Sequence, residues 1–335
     1  MSWPRVLVAL LAALLATCSA CGATVEQRGD AAGGAGYPVT VTNCGTDITF
    51  DAAPSRVVSN DIGITEILFA LGLTDRMAGY VLSDGHAAGV ASSPWREDFD
   101  RVPRLAERIN KEIVQGANAD LVFAGWNYGF TETSGVTPDS LATLGIDSYL
   151  LSETCRPGEG TARGVMPPLQ ALYTDLRNLG RIFGVPERAE ALIADYRATV
   201  SRAERAVPAD RRPPRVFLFD CCPDQPLTSG RYAAAHEIIT RAGGKNIFGD
   251  LDDSWTRVNW EAVVHRDPEV IVINDYGTPS AQRKIEFLRS YPPMADVAAV
   301  RNDRFFVMHY AELVESPRNP AAIASFAEYL GDHSY

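Results

Sequence analysis

The stretch PPLQALYTDLRNLGRIFGVPERAEALIADYRATVSRAERAV, Pro167 to Val207, decides the fold, because it keeps a helical pattern over a length unmatched in the rest of the chain. Leu169, Leu172, Leu176, Leu179 and Ile182 fall at helical spacing, and that periodicity predicts an amphipathic helix. A break is expected at Gly184-Val185-Pro186, since glycine and proline punctuate helices. A second helix then runs through Leu192, Ile193, Tyr196 and Val200 until Asp210-Arg211-Arg212-Pro213-Pro214 ends it. On both sides of this segment the pattern changes to short apolar strands alternating with helices. Before it, Tyr37 to Asn43 and Thr46 to Phe50 alternate apolar and polar residues around Cys44-Gly45, a hairpin signal. Arg56-Val57-Val58 reads as a strand, about Ile64 to Leu71 as a helix stopped by Gly72, Leu121 to Ala124 as a buried strand, Pro138 to Leu144 as a helix and Ser148 to Leu151 as a strand. After it, Val216 to Phe219, Val270 to Ile273 and Phe305 to Met308 read as strands, with helices over His236 to Arg241 and Ala321 to Leu330.

Strands and helices that alternate in this way imply mainly parallel sheets covered by helices. The fold class is therefore α/β: two lobes with mainly parallel sheets joined by a long helical linker, and a ligand cleft between the lobes. The expected boundaries are an amino-terminal α/β lobe over 37–166, the helical linker over 167–208 and a carboxy-terminal α/β lobe over 209–335. A chain of 335 residues is long enough for each lobe to bury its own core.

The amino terminus reads as an export signal. Arg5 precedes an apolar run from Val6 to Ala16 that is too short to span a bilayer, and Thr17-Cys18-Ser19-Ala20-Cys21-Gly22 supplies small residues around a cysteine, as in a bacterial lipobox. Residues 1–21 are expected to be a lipoprotein signal peptide, with Cys21 acylated and Cys18 as the rival, and 22–36 a flexible tether rich in Gly and Ala,. The Cys18/Cys21 spacing matches half a zinc site but lies inside the signal. The expected location is the outer face of the cytoplasmic membrane, through the lipid anchor. A net charge of -11 argues against nucleic acid, which needs a basic face. Without Cys18 and Cys21, Cys44, Cys155, Cys221 and Cys222 remain. An even number in an oxidising compartment suggests one bridge between Cys44 and Cys155. Adjacent Cys221-Cys222 either close a strained ring, remain thiols or are buried as small apolar residues, and the pair is expected to line or border the pocket.

Several motifs resemble class III periplasmic binding proteins of ABC importers for ferric siderophores, haem and cobalamin. They are Asp51-Ala-Ala-Pro-Ser-Arg-Val-Val58 after the hairpin, Thr65-Glu66-Ile67-Leu68-Phe69-Ala70-Leu71-Gly72, and Asn118-Ala119-Asp120-Leu121-Val122-Phe123, where Ala119 replaces the usual proline. In the second half, Leu227-Thr228-Ser229-Gly230, Ala242 to Phe248, Trp255, Val258-Asn259-Trp260-Glu261, Asp267 to Ile273 and Ser316-Pro317-Arg318 follow in family order. There the cobalamin-binding members are the most similar. The resemblance implies two lobes bridged by one long helix, little opening and closing, and an ABC permease dimer as partner. It also implies that Glu112 and Glu261, one per lobe, are the carboxylates that dock onto permease arginines; the plainer role for each is a solvated helix-start acid. A monomer without cofactor is expected, its ligand a ferric chelate or corrinoid.

Ligands of α/β lobes sit at the loops beyond the carboxyl ends of strands. That rule selects Asn60 and Asp61, then Trp126, Tyr128 and Phe130, whose rings suit a flat ligand. It also selects the Cys221 to Tyr232 loop, Asn274 to Tyr276, and His309 to Arg318. Arg231 and Arg318 are candidate anion clamps, the alternative being salt bridges to Glu312 or Glu315. Tyr232, Tyr276 and Tyr310 are candidate hydrogen-bond donors or, for haem, phenolate ligands. The alternatives are a haem receptor and a receptor for bare Zn2+ or Mn2+. The latter needs about three histidines with a carboxylate, and His86, His236 and His309 show no ligand-like spacing, so no metal site is expected. An enzyme is disfavoured by the absence of Gly-x-Ser-x-Gly, His-Glu-x-x-His and Gly-x-x-x-x-Gly-Lys-Ser/Thr motifs,.

Overall fold

Apolar runs too short for helices build two parallel sheets, and those sheets place every loop discussed below. The structure, a computed structural model, describes residues 36–333 and 335. The signal peptide, Cys18, Cys21 and all but the last residue of the tether lie outside the described residues. Among the described residues no helix is long and apolar enough to cross a membrane.

An antiparallel hairpin, β1 (Val39–Asn43) and β2 (Thr46–Phe50), opens the chain. The first sheet comprises β3 (Val57–Asn60), β4 (Met77–Val81), β5 (Arg104–Ala106), β6 (Leu121–Trp126), the two-residue β7 (Gly129–Phe130) and β8 (Asp147–Leu150). Its order is β5-β4-β3-β6, with β8 and β7 both pairing β6, and all these pairings are parallel. The second sheet uses β9 (Arg215–Phe219), β11 (Lys245–Asn246), β13 (Val270–Asp275) and β14 (Phe305–His309), parallel in the order β11-β9-β13-β14. Between them in sequence, β10 (Leu227–Ser229) and β12 (Trp255–Arg257) form a separate antiparallel ribbon. The first five residues of β6 and of β13 are all buried, as unbroken apolar runs are when both faces of a parallel sheet are covered. The α/β class with two mainly parallel sheets is the observed architecture.

Each sheet has one face packed within its own lobe. Val58, Val122, Phe130 and Leu141 fill the first, and Phe217, Phe219, Ile271 and Trp260 the second. The opposite faces do not form separate cores. Val57, Phe123 and Tyr149 from the first sheet and Val216, Leu218 and Val272 from the second belong to one continuous cluster, joined through Leu172, Leu176 and Leu179 and through Ile323 and Phe326 of the closing helix Asn319–Gly331. The two lobes are thus fused along one side by shared apolar burial.

The linker is two helices, Pro168–Ile182 and Pro186–Ala206, which corrects the single bridging helix implied by family resemblance. Gly184 takes φ 69°, and the Val185 N–H donates to the Gly180 carbonyl at 2.7 Å. This closes the first helix with a left-handed residue, and Pro186 starts the second. A methyl group on Gly180 would lie 2.6 Å from Ala189 Cβ, so the two helices pack at glycine distance. Gly184→Ala forces a Cβ into the left-handed region and is expected to lower unfolding stability by about 1–2 kcal/mol, read as a lower urea midpoint at unchanged slope.

Cys44 and Cys155 are bridged, Cα atoms 5.2 Å apart, fastening the hairpin to the turn after β8. Asn43 reinforces the same junction by exchanging two hydrogen bonds with the Leu150 backbone at 2.8 and 2.9 Å. Cys221 and Cys222 are bridged to each other and half-exposed, so the reading of the pair as buried small apolar residues or free thiols is corrected. Cys222 adopts φ 72°.

Candidate functional site

Five strands end at one crevice between the lobes. Beyond β3, Asn60 leads to Asp61, whose φ of 88° turns its side chain back to cap the Ile62–Ala70 helix. One carboxylate oxygen of Asp61 accepts the Gly63 N–H at 3.1 Å, and the other accepts the Tyr310 hydroxyl of the opposite lobe at 2.9 Å. Beyond β4 come Ser83 and His86, beyond β6 Asn127 and Tyr128, beyond β13 Tyr276 and beyond β14 Tyr310. Together with Asn60, Asp61 and Glu107 they enclose a cavity of 190 Å³. A Cβ at Gly129 (φ 117°) would lie 2.9 Å from Asn60 Cβ, so only glycine lets the Asn127-Tyr128 turn close against β3. His86 stands between Tyr276 and Tyr310, at ring-centroid distances of 4.8 and 4.9 Å, and the two tyrosines are 4.7 Å apart. A second cavity of 260 Å³ lies behind His86 within the first lobe and shares it as a wall.

The site holds few formal charges. Burial raises the Asp61 carboxyl to about 7, despite the Tyr310 hydrogen bond that favours its ionised form. Burial also raises Tyr128 and Tyr310 well above the ordinary phenol value, so both remain neutral donors. His86 is pushed down to about 4 by burial, with the Arg104 charge acting in the same direction, and its imidazole is neutral at pH 7.

Behind the cleft, three carboxylates join the lobes. Glu153, which follows β8, donates its N–H to the Glu315 carboxylate at 2.8 Å, and Glu315 of the second lobe returns the bond to Glu153 at 2.7 Å. Glu153 also accepts the Ala234 N–H at 3.3 Å, while Asp175 of the Pro168–Ile182 helix accepts the Tyr149 hydroxyl at 2.7 Å and the Ser152 N–H at 2.8 Å. All three are at most 1% exposed. Burial raises Asp175 to about 6 and Glu153 to about 7, and it holds Glu315, beside both other carboxylates, well above the ordinary glutamate value.

A carboxyl whose folded pKa is raised binds more protons folded than unfolded. Its stabilising contribution is complete below the unfolded value and is lost as pH rises through the folded one. His86 and His236, both lowered by burial, act in the opposite sense below the free histidine value, so the clean window lies above about pH 6.5. Between pH 6.5 and 8, Asp61 and Glu153, both near 7, are expected to remove on the order of 1–2 kcal/mol of unfolding free energy. Denaturant titrations across that window check this. A flat or rising profile would refute it, and Glu153→Gln should reduce the slope.

Of the ten residues that sequence selected around the ligand, the structure brings Asn60, Asp61, Tyr128, Tyr276 and Tyr310 to the cleft cavity. The other five lie elsewhere. Phe130 is fully buried in the core of the first lobe, which corrects its reading as a ligand-stacking ring; β7 turns it back under the sheet. Trp126 is half-buried, with the Arg156 guanidinium 3.8 Å from its ring centroid. Tyr232 packs against Gly164, where a Cβ would clash with it. Arg318 is corrected as an anion clamp: it is 7% exposed, and its Nε donates to Glu66 at 2.7 Å, a partner other than Glu312 or Glu315. Arg231 is likewise corrected. It pairs with Asp252 at 3.0 Å and lines a 690 Å³ hollow where β9 and β11 begin, the sheet edge opposite the cleft. His236 lines the same hollow, while His309 lies 3.7 Å from Asp275. Cys221 and Cys222 are not among the residues lining the cavity.

Glu112 and Glu261 occupy equivalent places. Each is exposed and is the second residue of a short helix, Lys111–Gly116 or Trp260–Arg266, whose preceding asparagine caps it: Asn110 accepts from Ile113 N–H at 2.8 Å and Asn259 from Ala262 N–H at 2.7 Å. His86, considered in the sequence only for a metal, stands in the cleft wall, and Ser83 and Glu107 beside it were not legible because β4 and β5 were not. MAGYV and RLA carry no alternation, and they form strands by adding in turn to the sheet, β4 beside β3 and β5 beside β4. Arg163, also unanticipated, is buried at the junction, donating to the Trp126 carbonyl at 3.5 Å and the Trp255 carbonyl at 3.4 Å. Among the described residues no group of three or more His, Cys, Asp or Glu is placed to hold a metal ion.

Residues 57–311 match the family described as periplasmic binding protein. The vitamin B12-binding protein of Yersinia pestis (strain Pestoides F) is 28% identical over 257 residues, covering 76% of this chain and 80% of the relative. Among solved structures, a periplasmic binding protein from Veillonella parvula superposes with a TM-score of 0.74 at 25% identity, over 89% of this chain and 98% of that one. An ABC-type Fe3+-hydroxamate transport system protein from Saccharomonospora viridis does so with a TM-score of 0.74 at 25% identity, over 88% and 99%.

Proposed function

Because this chain belongs to the periplasmic binding protein family, we propose that it is the extracytoplasmic receptor of an ABC importer. It captures a ferric-siderophore-type chelate or a corrinoid between its lobes and hands it to the permease dimer. The observation that carries this reading is the tyrosine-walled cavity, to which both lobes contribute at the carboxyl ends of their strands,. Its volume of 190 Å³ is below the roughly 300–1,000 Å³ of ordinary small-molecule sites. The cavity therefore seats one face of the ligand, the remainder resting on the lobe rims, and admission requires the Tyr276-His86-Tyr310 contact to part.

The protein works as a monomer held at the outer face of the cytoplasmic membrane by acylated Cys21, and it performs no chemistry on its cargo. Glu112 and Glu261 are its permease-docking acids, supported by their matched positions in the two lobes. The test of function is a thermal-shift panel of ferric hydroxamates, ferric catecholates, ferric citrate, haemin, cobalamin, Zn2+ and Mn2+. A ligand at a hundredfold excess over its Kd adds about 2.7 kcal/mol of stability, so the cognate complex is expected to raise the melting temperature. A shift with bare Zn2+ or Mn2+ alone would overturn the chelate reading, as would none with any of the panel.

A further inference from the structure

The charge of the cleft lining narrows the cargo. Two carboxylates, Asp61 and Glu107, face the 190 Å³ cavity, and no lysine or arginine lines it among the described residues. The guanidinium groups that approach are engaged elsewhere. Arg104 donates to the Leu82 carbonyl and the Asp84 carboxylate, both at 2.7 Å. Arg163 remains 6.0 Å from the Tyr128 ring centroid, its nitrogens on the Trp126 and Trp255 carbonyls. Lys284 is buried beneath Tyr276, with its ammonium 2.6 Å from the Asn274 carbonyl. Neither arginine proposed from sequence as a clamp reaches the cavity. Arg318 is paired with Glu66 and Arg231 with Asp252.

The remaining wall is made of groups that accept positive charge or are neutral. Tyr128, Tyr276 and Tyr310 present π faces, which attract cations, and burial keeps the hydroxyls of Tyr128 and Tyr310 protonated. His86, only 7% exposed, forms part of the cavity wall, its ring between those of Tyr276 and Tyr310. Since burial holds it neutral, its imidazole supplies a donor and a lone pair to the site without a charge. An anion entering this space would lose hydration without gaining a charged partner, and would face like charge.

From this lining we infer that the cleft selects a metal complex of neutral or positive net charge, such as a ferric hydroxamate or a corrinoid, and rejects anionic complexes. The inference rests on the receptor reading above. The experiment is equilibrium binding to the full protein at pH 7.5 of cationic ferrioxamine B, neutral ferrichrome and cyanocobalamin, and anionic ferric enterobactin, ferric citrate and haemin, each at low and high salt. The expected result is binding by at least one neutral or cationic complex, with every anionic complex at least tenfold weaker. Glu107→Lys, on an exposed rim position, should weaken a cationic complex severalfold more than a neutral one and keep the wild-type melting temperature; equal weakening of both overturns the charge rule. An anionic complex binding as tightly as the best neutral or cationic one overturns the charge rule and leaves the receptor reading in place. Binding by none of the six overturns both.

Discussion

Uptake of the cognate ligand is expected to fall to background in cells carrying Glu112→Lys together with Glu261→Lys, while the purified double variant binds that ligand with an affinity within about twofold of wild type. Both side chains are exposed, and each follows an asparagine cap at the same helical position in its own lobe. A carboxylate at a helix start has a local role as well, worth about 0.3–1 kcal/mol through the helix dipole. That role and docking are separable by the readout. If the glutamates only steady their helices, the double variant loses a little stability and transports normally, and the docking assignment fails. If they dock, each single reversal leaves partial uptake and the double removes it, because two separated acidic contacts are needed to fix orientation on a basic partner.

Replacing Arg318 by methionine is expected to cost about 3–5 kcal/mol of unfolding free energy. Glu66 has 0% exposure, and apart from Arg318 it receives a hydrogen bond from Ser93 at 2.6 Å. Burial already raises its carboxyl above the ordinary glutamate value while the Arg318 pair opposes that rise. Without the guanidinium, Glu66 must either stay charged in an apolar surrounding or take up a proton, and both outcomes destabilise the fold. Removing both partners, as Glu66→Leu with Arg318→Met, should restore most of the loss, since a buried pair replaced by apolar groups of similar volume is often neutral. Urea midpoints at constant slope read this directly. Ligand affinity of the single variant, measured where it remains folded, should be unchanged, whereas an anion clamp would show a large loss.

These two cases mark what sequence conveys here. Continuous apolar runs such as Leu121 to Ala124 and Val270 to Ile273 encode buried parallel strands directly, and the α/β class followed from them. The rule that ligands sit beyond strand carboxyl ends likewise pointed to Asp61, Tyr128, Tyr276 and Tyr310. What it could not convey was side-chain direction. Spaced by two, Trp126, Tyr128 and Phe130 would share one face of a continuous strand, but β6 ends at Trp126 and positive φ at Asn127 and Gly129 turns the chain, so Phe130 goes into the core. Arg318 found its counter-ion 252 positions away, a pairing no local pattern records. His86 was weighed in the sequence only as one of three histidines for a metal, and its place among the tyrosines depends on two strands whose own sequences are indistinct.

The apolar cluster that runs from Val57 through Leu176 to Val272 also bears on how a permease could tell a full receptor from an empty one. Lobes that share one apolar cluster are expected to swing little, and if Glu112 and Glu261 are the docking acids, their separation should be nearly the same with and without cargo. Empty molecules should then occupy the permease almost as readily as loaded ones. Transport measured against receptor abundance at fixed ligand should rise, pass through a maximum and decline, as idle copies crowd the doorway.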